Sequence, residues 1–148
     1  MTFSISIRKI SIRALGIFII FPATVAHVFV SLLGLAKLHS FIFIEHDTPS
    51  YIVMMHLQLA VYLALGWVGV ITGLKLYYHF LRSNASPGWS GFAWPGLLCG
   101  TVACVGLICA SGGSLTSRIF TMGWPLVGAA VLGWLLLNAD NANKADSH

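Results

Sequence analysis

The chain has 148 residues, of which 57% are hydrophobic and only 8% are charged, with a mean hydropathy of +0.87. Soluble domains carry about 25% charged residues, so a chain this apolar does not stay dispersed in water. The composition excludes a soluble enzyme and a disordered regulator. It also excludes a nucleic-acid-binding module, because the cations behind the net charge of +4 are scattered between apolar runs. The sequence predicts an integral membrane protein.

Four apolar runs are long enough to cross a bilayer, which requires about 20 residues for about 30 Å of hydrocarbon. We place these predicted spans at about residues 14–36, 51–76, 92–110 and 119–137. Proline is tolerated in a first helical turn and tryptophan favours the lipid–water boundary, so the Trp94-Pro95 and Trp124-Pro125 pairs indicate starts of the third and fourth spans. The fold class is therefore all-α, a membrane four-helix bundle over residues 1–138, and the polar residues 139–148 form a disordered tail.

The distribution of cations predicts that both termini are cytoplasmic, because Lys and Arg favour that side. Six cations fall on one side and two on the other. The six are Arg8, Lys9, Arg13, Lys75, Arg82 and Lys144, and the two are Lys37 and Arg118. The alternative for the amino terminus is a cleaved signal sequence, with residues 14–21 as its apolar core. We favour an uncleaved helix, because the apolar run continues to Leu35 and cleavage would leave a fragment too short to span.

Few polar side chains fall within the predicted spans, and none of them is an acid. Those that bear on function are His27, His56, Gln58, Thr24, Thr72 and Thr101. An ionisable group in the membrane is a functional hypothesis by default. The absence of Asp and Glu argues against an ion-coupled exporter and against acid–base hydrolysis within the membrane.

His27 and His56, on neighbouring spans, suggest axial ligands to a haem. Their expected depths differ by about 7 Å, whereas two axial ligands lie level, so we expect no cofactor. The second interpretation of His27 is a neutral imidazole that hydrogen-bonds Gln58 or a threonine. Pro22, five residues before His27, predicts a kink, and Thr24 is expected to re-satisfy part of the backbone there.

Small residues four apart allow helices in lipid to approach closely. Such pairs are Gly69 with Gly73 and Gly96 with Gly100; a third is formed by Ala129 and Gly133. Two interpretations remain open. The stripes pack the bundle internally, or one stripe faces outward and captures a helix of another protein.

The three cysteines, Cys99, Cys104 and Cys109, all fall in the third span at spacings that do not share one helix face. We expect them to act as small apolar residues and not as disulfide partners or metal ligands. The segment from Phe41 to Tyr51 joins an apolar run to acids and is expected to lie in the outer headgroup layer.

The sequence contains no nucleotide loop, metal cluster, nucleophile elbow or paired carboxylates, so we expect no enzymatic activity. Three hypotheses remain: a protein that binds other helices within the membrane, a small channel or transporter, and a haem b or quinone-binding subunit of a respiratory complex. A possible homo-oligomer is compatible with each.

In its architecture the chain resembles the small, basic, polytopic immunity proteins that bacteria use against pore-forming toxins. The resemblance covers the whole chain and rests on no motif, so no functional residue is transferred. It implies a multi-pass protein of the bacterial inner membrane that neutralises a membrane-inserting toxin, of the type VI secretion or bacteriocin type. The predicted contact residues are Gly69, Gly73, Gly96, Gly100, His27, His56 and Gln58.

Overall fold

The computed structural model describes residues 12–44, 49–83, 85–110, 112 and 114–145, and this part of the chain is helical without any strand. The five α-helices are α1 (Phe21–Ile44), α2 (Ser50–Arg82), α3 (Ser90–Ala110), α4 (Leu115–Met122) and α5 (Trp124–Ala145). A π-helical turn, Gly16–Ile20, leads into α1. The cations at positions 8, 9 and 144 and the acids of the first loop lie outside the described side chains.

Three helices have the length and apolar composition needed to cross a membrane. They are Ile12–Ile42 with 31 residues, Ser50–Arg82 with 33 and Ser90–Ala110 with 21. At 1.5 Å per residue, α2 is about 50 Å long and extends beyond about 30 Å of hydrocarbon. The predicted all-α class and the long apolar helices of the first three spans are confirmed.

The fourth predicted span, residues 119–137, is not one continuous helix. α4 ends at Gly123, whose N–H donates to the carbonyl of Ile119 at 2.8 Å, and α5 begins at the next residue. Pro125 has no N–H and would clash with the carbonyl of the preceding turn, which explains the break. Only the first 14 residues of α5 are apolar, about 21 Å of helix, so this helix alone is shorter than the hydrocarbon layer.

The structure also differs from the prediction of a disordered tail after residue 138, because α5 continues to Ala145. Ala139 is buried in the main core, and Asn143 Nδ2 donates to the hydroxyl of Ser86 at 2.6 Å. These two contacts hold the polar end of α5 against the connection between α2 and α3. Residues 146–148 lie outside the described part.

Pro22 disturbs the first helix as predicted, and the disturbance takes the form of the π turn. The N–H of Phe21 donates to the carbonyl of Gly16, five residues back. Single π turns form where the regular ladder of backbone bonds is interrupted, as it is at a proline. The hydroxyl of Thr24 donates to the carbonyl of Ile20 at 2.8 Å, as expected from its place in the kink.

Helices α1, α2 and α3 pack side by side, each antiparallel to the next. Tyr62 meets Gly106 and Thr72 meets Gly96, so α2 and α3 run in opposite directions. α5 packs against α3 and the π turn, and it begins only at mid-height, where Pro125 shares a cavity with residues of the middle of α2 and α3.

The main core lies at one end of the molecule, which we call the packed end. It joins the residues before the π turn, the end of α2, the start of α3 and the end of α5. Leu76, Phe80, Ala93 and Leu136 are at most 2% exposed there.

The opposite end, which we call the open end, consists of residues 35–42 of α1 and 50–60 of α2. None of these residues is buried. Because α5 begins at mid-height and runs toward the packed end, it does not extend beside the open end. Of the segment from Phe41 to Tyr51, which we predict to lie in the headgroup layer, residues 41–44 are helical and residues 45–48 lie outside the described part.

Candidate functional site

A contact between the backbones of α2 and α3 places Gly69 against Gly100. A Cβ added to Gly100 would lie 3.0 Å from the Cα of Gly69, and one added to Gly69 would meet backbone atoms of Gly100. The same seam continues at Thr72, which lies against Gly96. Side chains larger than hydrogen have no room at these glycines, so backbone contact is what joins the two helices.

The four glycines of the two predicted Gly–Gly pairs are thus all used for packing within the chain, three of them between α2 and α3. Gly69, Gly96 and Gly100 lie on the α2–α3 seam. Gly73 lies apart from that seam, because a Cβ there would make an ordinary 3.8 Å contact with Leu132 of α5. The outward-facing stripe that we considered from the sequence is therefore not formed by Gly69 or Gly100.

His27 lies on the face of α1 that contacts α2, with its imidazole directly against Gly66. The indole of Trp67 contacts the same ring edge-on, with centroids 5.4 Å apart and planes at 77°. The Nε2 atom of His27 is buried and has no hydrogen-bond partner. The Oγ atom of Ser31, one turn further along α1, is also buried without a partner. An unpaired polar group away from water costs a few kcal/mol, so the α1–α2 contact contains two unmet hydrogen bonds.

A cavity of about 100 Å³ lies beside His27, where the first three helices meet the start of α5. Its lining is apolar apart from the side chains of Thr24, His27 and Cys104. Thr24 already donates to its own helix. The cavity is therefore too small and too apolar to serve as a path for a polar solute.

His56 and Gln58 lie in the open end, away from His27. His56 Nδ1 donates to the carbonyl of Ile52 at 2.8 Å, and its ring stacks on Phe41 with centroids 4.2 Å apart. Gln58 Nε2 donates to the hydroxyl of Tyr62 at 2.9 Å. The predicted hydrogen bond between His27 and Gln58 is wrong, because Gln58 is satisfied one turn along its own helix.

The two histidines are also not placed as a haem pair. His27 abuts Gly66, which lies ten residues after His56 on α2, and ten residues correspond to about 15 Å along a helix. This separation of the two histidines along the helix axis is about twice the depth difference of about 7 Å that the sequence predicts. Axial ligands of one iron need to lie level on opposite sides of it, and these two do not.

The three cysteines are free thiols along α3, with Cys99 and Cys104 half-buried and Cys109 exposed. No group of three metal-ligating side chains occurs among the described residues.

The exposed surface of the open end is made of flexible and aromatic apolar side chains. Met54, Met55 and Leu57 of α2 are each 60% exposed or more, and Tyr51 is 72% exposed. Methionine adapts its shape to different partners, which is why it is frequent at surfaces that bind apolar helices. On α1, Ser31 lies about one turn and His27 about two turns before residue 35, where the open end begins.

Several residues of this region were missed by the sequence analysis. Ser31 stands in an apolar run and resembles many serines of membrane helices, and only the structure shows that its hydroxyl is buried and unpaired. Gly66 and Gly106 belong to none of the predicted pairs of small residues spaced four apart. The His27 ring nevertheless lies against Gly66 and the Tyr62 ring against Gly106. Single glycines opposite large side chains have no spacing that identifies them.

Comparison of the chain with protein-family models, with characterised proteins and with solved structures gives no match. The functional argument therefore rests on the geometry described above.

Proposed function

We propose that this protein acts by binding the apolar helices of another membrane-inserted protein, and most concretely as an immunity protein that neutralises a pore-forming toxin of the type VI secretion or bacteriocin kind. The observation that carries the proposal is the difference between its two ends. Four helices form a buried core at the packed end, whereas none of residues 35–42 and 50–60 at the open end is buried. The two unpaired buried atoms, His27 Nε2 and Ser31 Oγ, lie one to two helical turns from the open end on α1.

The membrane arrangement that we propose is a four-helix bundle in the bacterial inner membrane with both termini cytoplasmic. In support, Ile12 and Ala139, near the two ends of the described chain, belong to the same core. The cations Lys75 and Arg82 also lie toward that end, on the last turns of α2. We infer that α4 and α5 together form the returning fourth leg, with its bend at Gly123.

With this orientation, the open end faces the periplasm, from which a toxin released by a sibling cell arrives. An inserted toxin helix would pack on Met54 and Leu57, which lie three residues apart on one face of α2. A polar side chain on that helix would pair with His27 Nε2 or Ser31 Oγ, if α1 moves slightly away from α2 to admit it. The toxin helix then gains partners that another toxin copy does not offer, and the pore does not assemble.

The alternative hypotheses receive less support from the structure. A channel or transporter needs a polar path, whereas the internal cavity is about 100 Å³ and lined mainly by apolar residues. A haem subunit with His27 and His56 as ligands does not fit their separation along α2.

The test is growth of a strain from which the gene has been deleted, beside sibling cells that still carry it. We expect the deleted strain to lose membrane potential and viability, and the wild-type gene supplied in trans to restore both. A variant with both Met54→Ala and Leu57→Ala is expected to protect at least tenfold less well, because exposed anchors of this size dominate helix-binding surfaces. A deleted strain that grows normally beside its siblings contradicts the proposal.

The matched control is Phe92→Ala. Phe92 is 83% exposed, but it lies at the start of α3 at the packed end. This variant removes more apolar surface than either single substitution at the open end and is expected to protect fully. If it weakens protection as much as the open-end variant, the two ends do not differ in function. Solute flux through liposomes that contain only this protein would favour a transporter instead.

A further inference from the structure

A second surface of the molecule, at the end of α2, combines cations with apolar side chains. It is an open groove of about 600 Å³ between the last three turns of α2 and Trp89 of the connection that precedes α3, which we call the basic groove. Its volume is in the range of about 300–1,000 Å³ that small-molecule sites occupy. The open end used in the proposed function does not contribute to it.

The cations of the basic groove are Lys75 and Arg82, which lie seven residues apart on α2. Seven residues are about two helical turns, so both side chains project from one face, about 10 Å apart along the axis. Both are exposed. Among the described residues that line the groove there is no acid to neutralise them.

The remaining groups of the basic groove divide into an apolar part and a polar part. Ile71 and Leu74 continue the apolar, spanning face of α2, and the indole of Trp89 closes the side formed by the α2–α3 connection. Tyr78 and His79 lie between the two cations. The imidazole of His79 donates through Nε2 to the carbonyl of Ala85 at 2.9 Å, which ties the connection to α2 and fixes one wall of the groove.

We propose that the basic groove binds one anionic phospholipid, such as phosphatidylglycerol, at the edge of the bilayer. The arginine guanidinium binds phosphate oxygens through two parallel hydrogen bonds, and the lysine ammonium reaches the same level along its apolar stem. The acyl chains continue along Ile71 and Leu74 into the hydrocarbon. Tyr78 and Trp89 are of the residue types that favour the headgroup layer, so the groove has the depth that the headgroup requires.

The occupant is a lipid and not a free phosphate compound, because half of the groove is apolar and continuous with the lipid-facing surface. A soluble phosphate compound would leave Ile71 and Leu74 uncovered. The cationic half distinguishes anionic from zwitterionic lipids, since each Lys or Arg near an anionic headgroup favours binding by about fivefold.

The test is native mass spectrometry of the full-length protein released from mixed micelles that contain phosphatidylglycerol or phosphatidylcholine with the same acyl chains. We expect one phosphatidylglycerol molecule to remain bound at concentrations where phosphatidylcholine is lost. The variant with both Lys75→Gln and Arg82→Gln is expected to bind phosphatidylglycerol about 25-fold more weakly. Glycerol phosphate, which carries the headgroup charge without acyl chains, should not displace the lipid.

The matched control is Lys37→Gln, which removes an exposed cation of α1 far from the groove. It is expected to bind phosphatidylglycerol as the wild type does. Equal retention of the two lipids by the wild type overturns the proposal, and so does equal weakening by Lys37→Gln, which would show an effect of net charge alone. Both cations are exposed, so the variants are expected to fold, and the comparison of lipids on the wild type requires no variant.

Discussion

Substitution of Gly69 by alanine tests the seam that joins α2 to α3. A Cβ on Gly69 meets the backbone of Gly100, including its N atom at 2.9 Å, and a backbone cannot rotate out of the way as a side chain can. The Cα of Gly100 is nearer still to that Cβ, and non-bonded carbon contacts are normally about 3.5–4.0 Å, so the two helices have to separate by about 1 Å.

The magnitude follows from the contacts that this separation weakens. A gap of 0.5–1 Å forfeits about a quarter to a half of the attraction of each atom pair, and each pair contributes about 0.1–0.2 kcal/mol. If the seam contains about 20–30 such pairs, half the number made by one buried leucine, the loss is about 0.5–3 kcal/mol. This range overlaps the usual cost of overpacking a well-packed core, about 1–3 kcal/mol.

The matched control is Gly73→Ala, one turn further along the same helix. It makes the same change in helix propensity, which favours alanine by up to about 1 kcal/mol, but its Cβ makes only an ordinary 3.8 Å contact with Leu132. The difference between the two variants therefore isolates the seam. The assay is reversible unfolding in mixed micelles, followed by far-ultraviolet circular dichroism. Equal unfolding free energies for Gly69→Ala and Gly73→Ala would refute the backbone contact.

Three further predictions concern single polar groups. Ser31→Ala is expected to raise the unfolding free energy by about 1 kcal/mol, because it removes an unpaired buried hydroxyl. Thr24→Val is expected to lower the unfolding free energy by about 0.5–1.5 kcal/mol, because it removes a hydrogen bond. The same unfolding assay checks both, and a change of the same sign in the two variants would contradict the assignment. Asn143→Ala is expected to speed amide exchange in the last two turns of α5, measured by hydrogen–deuterium exchange, with unchanged exchange as the contrary result. Added haem is expected to give no Soret band that depends on both His27 and His56; a band abolished by either alanine variant would show that they ligate one iron.

The helices themselves could be predicted from the sequence because long apolar runs leave few alternatives in a bilayer. The contact of Gly69 with Gly100 could be anticipated in kind, since small residues four apart favour close approach. The sequence did not show which faces meet, because glycine looks the same on an inward and on an outward stripe. That depends on how α2 is rotated about its axis, which all of its side chains determine together.

The helical tail illustrates what the sequence could not show, whereas the break at Gly123 was indicated by the Trp124-Pro125 pair, at which α5 begins. The run from Ile119 to Leu137 is apolar throughout, and hydropathy does not record that Pro125 interrupts the backbone ladder within it. The polar end of α5 is helical because Ala139 is buried and Asn143 is hydrogen-bonded, both contacts with residues distant in the chain. The partner of Gln58 was also missed, because its side chain donates to Tyr62, one turn along the same helix, and not to His27.

The proposed function depends on an open end that faces the periplasm and a packed end that faces the cytoplasm. The most direct measurement is labelling of single cysteines with a membrane-impermeant maleimide in intact spheroplasts, in a background where the three native cysteines are replaced by alanine. Ser50→Cys, at the start of α2, is predicted to react from outside, and Ser83→Cys, just after its end, only once the membrane is opened. Labelling of Ser83→Cys in intact spheroplasts, with Ser50→Cys protected, would contradict this orientation and the route by which a toxin helix is proposed to arrive.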